Sequence, residues 1–206
     1  VTTGSTLAFR SELASIAPFD HGSGENEARA ASGRQDVLDL AGNENAVGPS
    51  PGVAAAVQAG TALGWRYPDS GCRLLGGLVA GDLAIDRDRL LFGTGSESLL
   101  ALIAHATLRA GDHVLLSSPT FPIYGALARS LGATVIDIPR RADFGLDVDA
   151  IVAALRAPVR LLFLCNPNNP TGTPVSLAEM TAIASHLPSD AMVVVDEAYH
   201  EFASPR

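Results

Sequence analysis

Short apolar runs alternating with longer stretches of helical periodicity are the feature that most restricts how this chain can fold. Runs at residues 37–40, 90–92, 113–116, 134–138, 161–164 and 192–195 are bounded by turn-forming residues and read as buried strands. Between them, residues 52–63, 96–108, 123–131, 148–155 and 177–186 carry apolar side chains at helical spacing. Leu99, Leu102, Ile103 and Ala106, for example, fall on one helix face. Ser176 followed by Glu179 resembles a capping box opening the last of these helices. Connections this long are crossovers rather than hairpins. They imply a mainly parallel sheet with helices on both faces, a three-layer α/β/α arrangement. Residues 1–36 are polar and irregular around Gly22-Ser23-Gly24, and are expected to form an extended or loosely helical N-terminal arm ahead of a sheet domain over residues 37–206.

Composition limits the function classes. A chain of 206 residues, 47% hydrophobic and 17% charged, can bury one sizeable core. A net charge of -8 and a pI near 5.0 argue against nucleic acid or an anionic membrane as the main partner. No apolar run approaches the roughly 18 residues that would span a bilayer. Val1 to Asp20 show no basic start followed by an apolar core, so no export signal is visible. Cys72 and Cys165 lie far apart and suggest neither a disulfide framework nor a metal cluster. They read as small hydrophobes in a reduced, cytoplasmic interior. The histidines show no metal-ligand spacing, and His200 reads as a solvated or packing residue.

In a parallel sheet, ligands bind at the carboxyl ends of the strands, and the unusual loops of this chain lie there. Gly93-Thr94-Gly95-Ser96-Glu97 follows one expected strand and opens a helix. Its free N–H groups and the positive end of the helix dipole favour a phosphate; the plain alternative is a glycine turn with a serine cap. Neither a Walker loop nor a dinucleotide fingerprint is present. Asp196 closes a hydrophobic strand, where an ionised carboxylate is costly unless paired. A protonated ring nitrogen of a bound ligand is one such partner, and helix capping or metal ligation are others. Tyr199 and Asn169 lie close enough in the pattern to reach the same ligand, although Asn-Pro and Thr-Gly are also common turn formers. Phe121 offers an aromatic face after another strand, either for a flat ring or for the core. Tyr67, before a proline, reads as a turn aromatic.

Taken together, these loops resemble the fold-type I aminotransferases, most closely the histidinol-phosphate aminotransferase-like branch of class I/II. The matching segments are Gly42-Asn43-Glu44-Asn45 with Gly48-Pro49-Ser50-Pro51, Arg66-Tyr67-Pro68-Asp69 and Gly95-Ser96-Glu97. They continue through Pro119-Thr120-Phe121-Pro122-Ile123-Tyr124, Asn168-Asn169-Pro170-Thr171-Gly172 and Val195-Asp196-Glu197-Ala198-Tyr199-His200-Glu201-Phe202. Ala46-Val47 replaces the family's usual Pro-aromatic pair. The resemblance implies the large domain of a pyridoxal 5'-phosphate-dependent transferase. By it, Ser96 and Glu97 sit in the phosphate loop and Phe121 stacks on the ring. Asn169 and Tyr199 bond the ring oxygen, and Asp196 pairs with the ring nitrogen. Tyr67 would reach the cofactor phosphate of the other subunit in a homodimer, and Asn45 would lie near the substrate. The implied substrates are glutamate or 2-oxoglutarate with histidinol phosphate or a related amino acid; aromatic aminotransferases and a threonine-phosphate decarboxylase share the branch.

The sequence contains no lysine; its 14 Lys and Arg residues are all arginines. The family's Schiff-base lysine, with a phosphate-binding and a substrate-carboxylate arginine, falls beyond the matched segments. The expectation is therefore the N-terminal portion of such an enzyme, without the smaller C-terminal domain and inactive alone. A lysine-free binding or interaction protein of the same fold is the other class.

Overall fold

The computed structural model describes residues 10–16, 24–38, 40 and 42–203. Gly22, Ser23 and the rest of the expected arm before Arg10 lie outside the described residues. The chain divides into two units, one of Phe19–Phe92 and one of Val1–Pro18 with Gly93–Arg206.

The second of these holds the sheet. Strands β1 (His113–Leu116), β2 (Thr134–Asp137), β3 (Val159–Cys165) and β4 (Met192–Asp196) are all parallel, in the order β2-β1-β3-β4. Side chains alternate across such strands, and the two faces collect separate cores. Val114, Leu116, Leu161, Phe163 and Cys165 pack on one side, against helices α4 (Gly95–Thr107) and α5 (Ile123–Ser130). Leu115, Leu162 and Leu164 pack on the other, against α6 (Val148–Ala154) and α7 (Leu177–Ala184). Helices therefore cover both faces, as the crossover lengths predict. Each leucine fully buried here contributes about 1.5–3 kcal/mol. The β1–β3 ladder slips between His113↔Val159 and Val114↔Leu161, leaving Arg160 as an extra residue. That bulge is why Val159 faces the α6–α7 side while Leu161 faces the other.

Local signals account for the helix starts. Asp147 accepts a hydrogen bond from the Ala150 amide at the start of α6. Ser176 and Glu179 form the expected reciprocal capping box on α7. The chain leaves β1 toward β2 and later returns to the far side of β1 to lay down β3. That reversal opens a crevice between the carboxyl ends of β1 and β3.

The Phe19–Phe92 unit contains α1 (Glu25–Ser32), α2 (Pro51–Thr61) and α3 (Arg73–Leu83). Part of the expected arm is thus helical. Residues 37, 38, 40 and 90–92 are not strands; Leu38, Leu40 and Leu91 are exposed, and no ladder partner for them exists among the described residues. Helix α3 was not expected, because Gly76, Gly77 and Gly81 lower its propensity. A Cβ at Gly76 would meet the Arg87 guanidinium, which would have to shift to make room. No helix among the described residues is long and apolar enough to cross a membrane.

Candidate functional site

The loops after β1, β3 and β4 leave the carboxyl side of the sheet, and they carry Phe121, Asn169, Asp196 and Tyr199. Asp196 ends β4 with 8% of its surface exposed. It lies opposite Cys165 in the β3–β4 ladder, on the face that carries α4 and α5. Its Oδ2 accepts a 2.7 Å hydrogen bond from the Tyr124 hydroxyl, and its Oδ1 a 3.2 Å bond from the Ala198 amide. Neither donor carries a charge, and no cation lies within ion-pair distance of it among the described residues. A buried carboxylate satisfied only by neutral donors still lacks a counter-charge.

Tyr124 is the residue that sequence reasoning missed. It is fully buried in the first turn of α5, stacked on Phe163 at 4.9 Å and 9°. Burial, with Cys165 and Asp196 beside it, pushes the phenol well above its ordinary pKa, so it stays protonated and donates. Burial likewise raises the Cys165 thiol. The signal available was a phenol three residues after Phe121 in an apolar helix start, where a buried hydroxyl needs a partner. Phe121 meets the same ring edge-on at 5.7 Å and is partly buried.

On the next loop, the Asn169 side-chain amide donates to the Tyr199 hydroxyl at 3.5 Å, a long hydrogen bond between two partly buried groups. Asn168 beside it is buried and bonded to Thr120, Pro119 and Thr171. Ser96 and Glu97 are exposed in the first turn of α4, after Gly95 with its φ of +75°. Helix α4 leads into β1 through a short connection and packs on the sheet, so its first turn points toward the strands' carboxyl side. A Cβ at Gly93 would overlap the Ser98 hydroxyl and Leu99, so any larger residue there would force both side chains to shift.

Asn45 and Tyr67 belong to the other unit. The Asn45 side chain accepts from the Val47 amide at 3.0 Å, closing a turn. Tyr67 is 100% exposed. Among the described residues no group of His, Cys, Asp and Glu is arranged to hold a metal.

These features fit a pyridoxal-type ring: a buried carboxylate with no cation beside it among the described residues, a paired amide and phenol on the neighbouring loops, an aromatic face, and a helix start open to a phosphate. Comparison with known proteins agrees. The family described as aminotransferase class I and II matches residues 35–206. Histidinol-phosphate aminotransferase 2 of Caulobacter vibrioides is 40% identical over 193 residues, covering 94% of this chain and 51% of that protein. An aromatic amino acid aminotransferase of Rhodococcus jostii is 39% identical over 166 residues, covering 81% and 46%. The crystal structure of histidinol-phosphate aminotransferase from Sinorhizobium meliloti in complex with pyridoxal-5'-phosphate superposes with a TM-score of 0.84 at 27% identity, covering 95% of this chain and 52% of that one. The chain spans about half the length of the curated relatives it matches. It belongs to the class I and II aminotransferases.

Proposed function

We propose that this chain forms the cofactor-holding part of a pyridoxal 5'-phosphate-dependent aminotransferase. In the full-length protein it would exchange an amino group between glutamate and histidinol phosphate, or a related amino acid. The observation that carries the reading is Asp196, a buried carboxylate with two neutral donors and no counter-ion among the described residues.

When bound, the cofactor supplies an electron sink for charge developing at the substrate's α-carbon. The chain's own residues make that sink effective. The Asp196 carboxylate would hold a proton on the ring nitrogen, favouring its charged form. Tyr124 and the Ala198 amide keep the carboxylate aimed. Asn169 and Tyr199 would donate to the ring's phenolic oxygen, and Phe121 would cover one ring face and exclude water. The α4 amides at Ser96 and Glu97 would hold the phosphate at the positive end of the helix dipole. Asn45 would stand near the substrate. The substrate preference draws on the histidinol-phosphate relatives, with the aromatic relative marking the competing substrate class.

Two measurements test this. The chain titrated with pyridoxal phosphate should show saturable one-to-one binding that Asn169→Ala weakens about fivefold or more, as expected for a lost hydrogen bond to a charged oxygen. In the full-length protein, 2-oxoglutarate should support turnover of histidinol phosphate in preference to phenylalanine. A preference for phenylalanine would move the protein to the aromatic class, and no binding by the chain would remove the cofactor-holding role from this part of the protein.

The full-length protein should also be a homodimer in which Tyr67 reaches the cofactor phosphate of the other subunit. The complete exposure of Tyr67 leaves its hydroxyl available for such a contact. Light scattering on the active full-length protein checks it, and an active monomer would rule it out.

A further inference from the structure

Asn168 carries more than a turn requires. It is a polar residue with 2% of its surface exposed. Its backbone already closes the loop after β3, through Asn168 N to Thr173 O at 2.9 Å and Gly172 N to Asn168 O at 2.7 Å. Its side chain then makes a second set of bonds. Oδ1 accepts from the Thr120 hydroxyl at 2.8 Å, and Nδ2 donates to Pro119 O at 3.0 Å and to the Thr171 hydroxyl at 2.7 Å. The Pro119 carbonyl can only accept, so the orientation of the amide is fixed by chemistry. Both donor hydrogens are used, and the oxygen has a partner.

The bonds to Thr120 and Pro119 cross to the loop between β1 and α5, 48 and 49 residues away in sequence. The residues directly after the two ends of this bridge are Phe121 and Asn169. The fastening therefore sits one residue behind each of two groups that must grip the same flat ring, one by its face and one at its oxygen. Their ring-binding roles rest on the cofactor reading above. We propose that Asn168 is a positioning residue that locks the Phe121 loop to the Asn169 loop and so sets the slot for the ring. Two loops held only by their own turns would each keep local freedom, and positioning by about 1 Å is worth up to a hundredfold in such sites.

The test uses the 206-residue chain, pyridoxal phosphate, and three readouts: affinity, the circular dichroism induced in the bound ligand, and the melting temperature. Thr120→Val keeps the side-chain shape and deletes the crossing donor, whereas Thr120→Ser keeps the donor. The valine variant should weaken affinity about five- to tenfold, the scale of one hydrogen bond, and diminish the induced dichroism. The serine variant should return affinity to within about twofold of the parent, because the same bond is restored. Asn168→Asp should lose more affinity than Thr120→Val, since a carboxylate would face the Pro119 carbonyl acceptor to acceptor. If Thr120→Val lowers only the melting temperature, with affinity and dichroism equal to those of the serine variant, the positioning role is overturned while the cofactor site stands. If the parent chain binds no pyridoxal phosphate, the cofactor reading fails and this inference falls with it.

Discussion

Asp196→Ala is expected to lower the chain's affinity for pyridoxal phosphate by about thirtyfold or more, because removing one member of a buried charged pair costs roughly 2–5 kcal/mol. Turnover of the full-length protein should fall on the order of 10²–10³, the scale set by deleting one preorganised electrostatic group. Stability of the unliganded chain should change less, because two effects oppose. Deleting the carboxylate strands the Tyr124 hydroxyl, at about 1–3 kcal/mol, but it also removes a buried charge that had no counter-ion among the described residues. Asp196→Asn separates the two effects: it keeps an oxygen for Tyr124 and discards the charge, so it should retain stability and still lose affinity. Urea unfolding and ligand titration of the three proteins read both quantities. Undiminished affinity and turnover in Asp196→Ala would take this residue out of the site.

The 206-residue chain by itself is expected to show no glutamate-dependent turnover. Transamination of this class needs a primary amine that bonds to the cofactor's aldehyde, gives way to the substrate, and then moves the α-proton. The sequence has no lysine, so no side chain supplies that amine. Arginine is held protonated and histidine has no primary amine. The loss of a positioned proton-transfer group alone removes about two to four orders of magnitude. Treating the chain with pyridoxal phosphate and borohydride, then weighing it by mass spectrometry, gives the direct measurement. A stoichiometric adduct on an internal residue, or turnover above a cofactor-only blank, would show the argument wrong. Saturable binding without turnover is equally the behaviour of a lysine-free binding protein, so the full-length assay decides between the two classes.

The strands that sequence patterning located are those with apolar neighbours on both faces. β1, β2, β3 and β4 begin or end within two residues of their expected limits, because each run packs into the cores on the two faces. Residues 37–40 and 90–92 carry the same kind of run. A strand also needs a neighbour for its backbone, and composition does not name one. At the candidate site, Asp196, Asn169 and Tyr199 stand out in the sequence because a strand-end carboxylate and an Asn-Pro turn are local signals. Tyr124 was not, since its partner lies 72 residues away and only the folded sheet brings the two together. Asn168 was hidden for the same reason, being a turn residue in sequence and a bridge in three dimensions.

The pairing of Cys165 with Asp196 across β3 and β4 also bears on which insertions and deletions this site can survive. Side chains alternate faces along a strand, so moving β4 by one residue would present Val195 to Tyr124 and turn the carboxylate toward the α6–α7 side. Changes of length in residues 185–191, before β4, are different: that connection lies at the amino end of the sheet, outside the ladder, and an extra residue there costs less than one inside β4. Lineages carrying this site should therefore vary more in the length of that connection than in the number of residues between the start of β4 and Asp196.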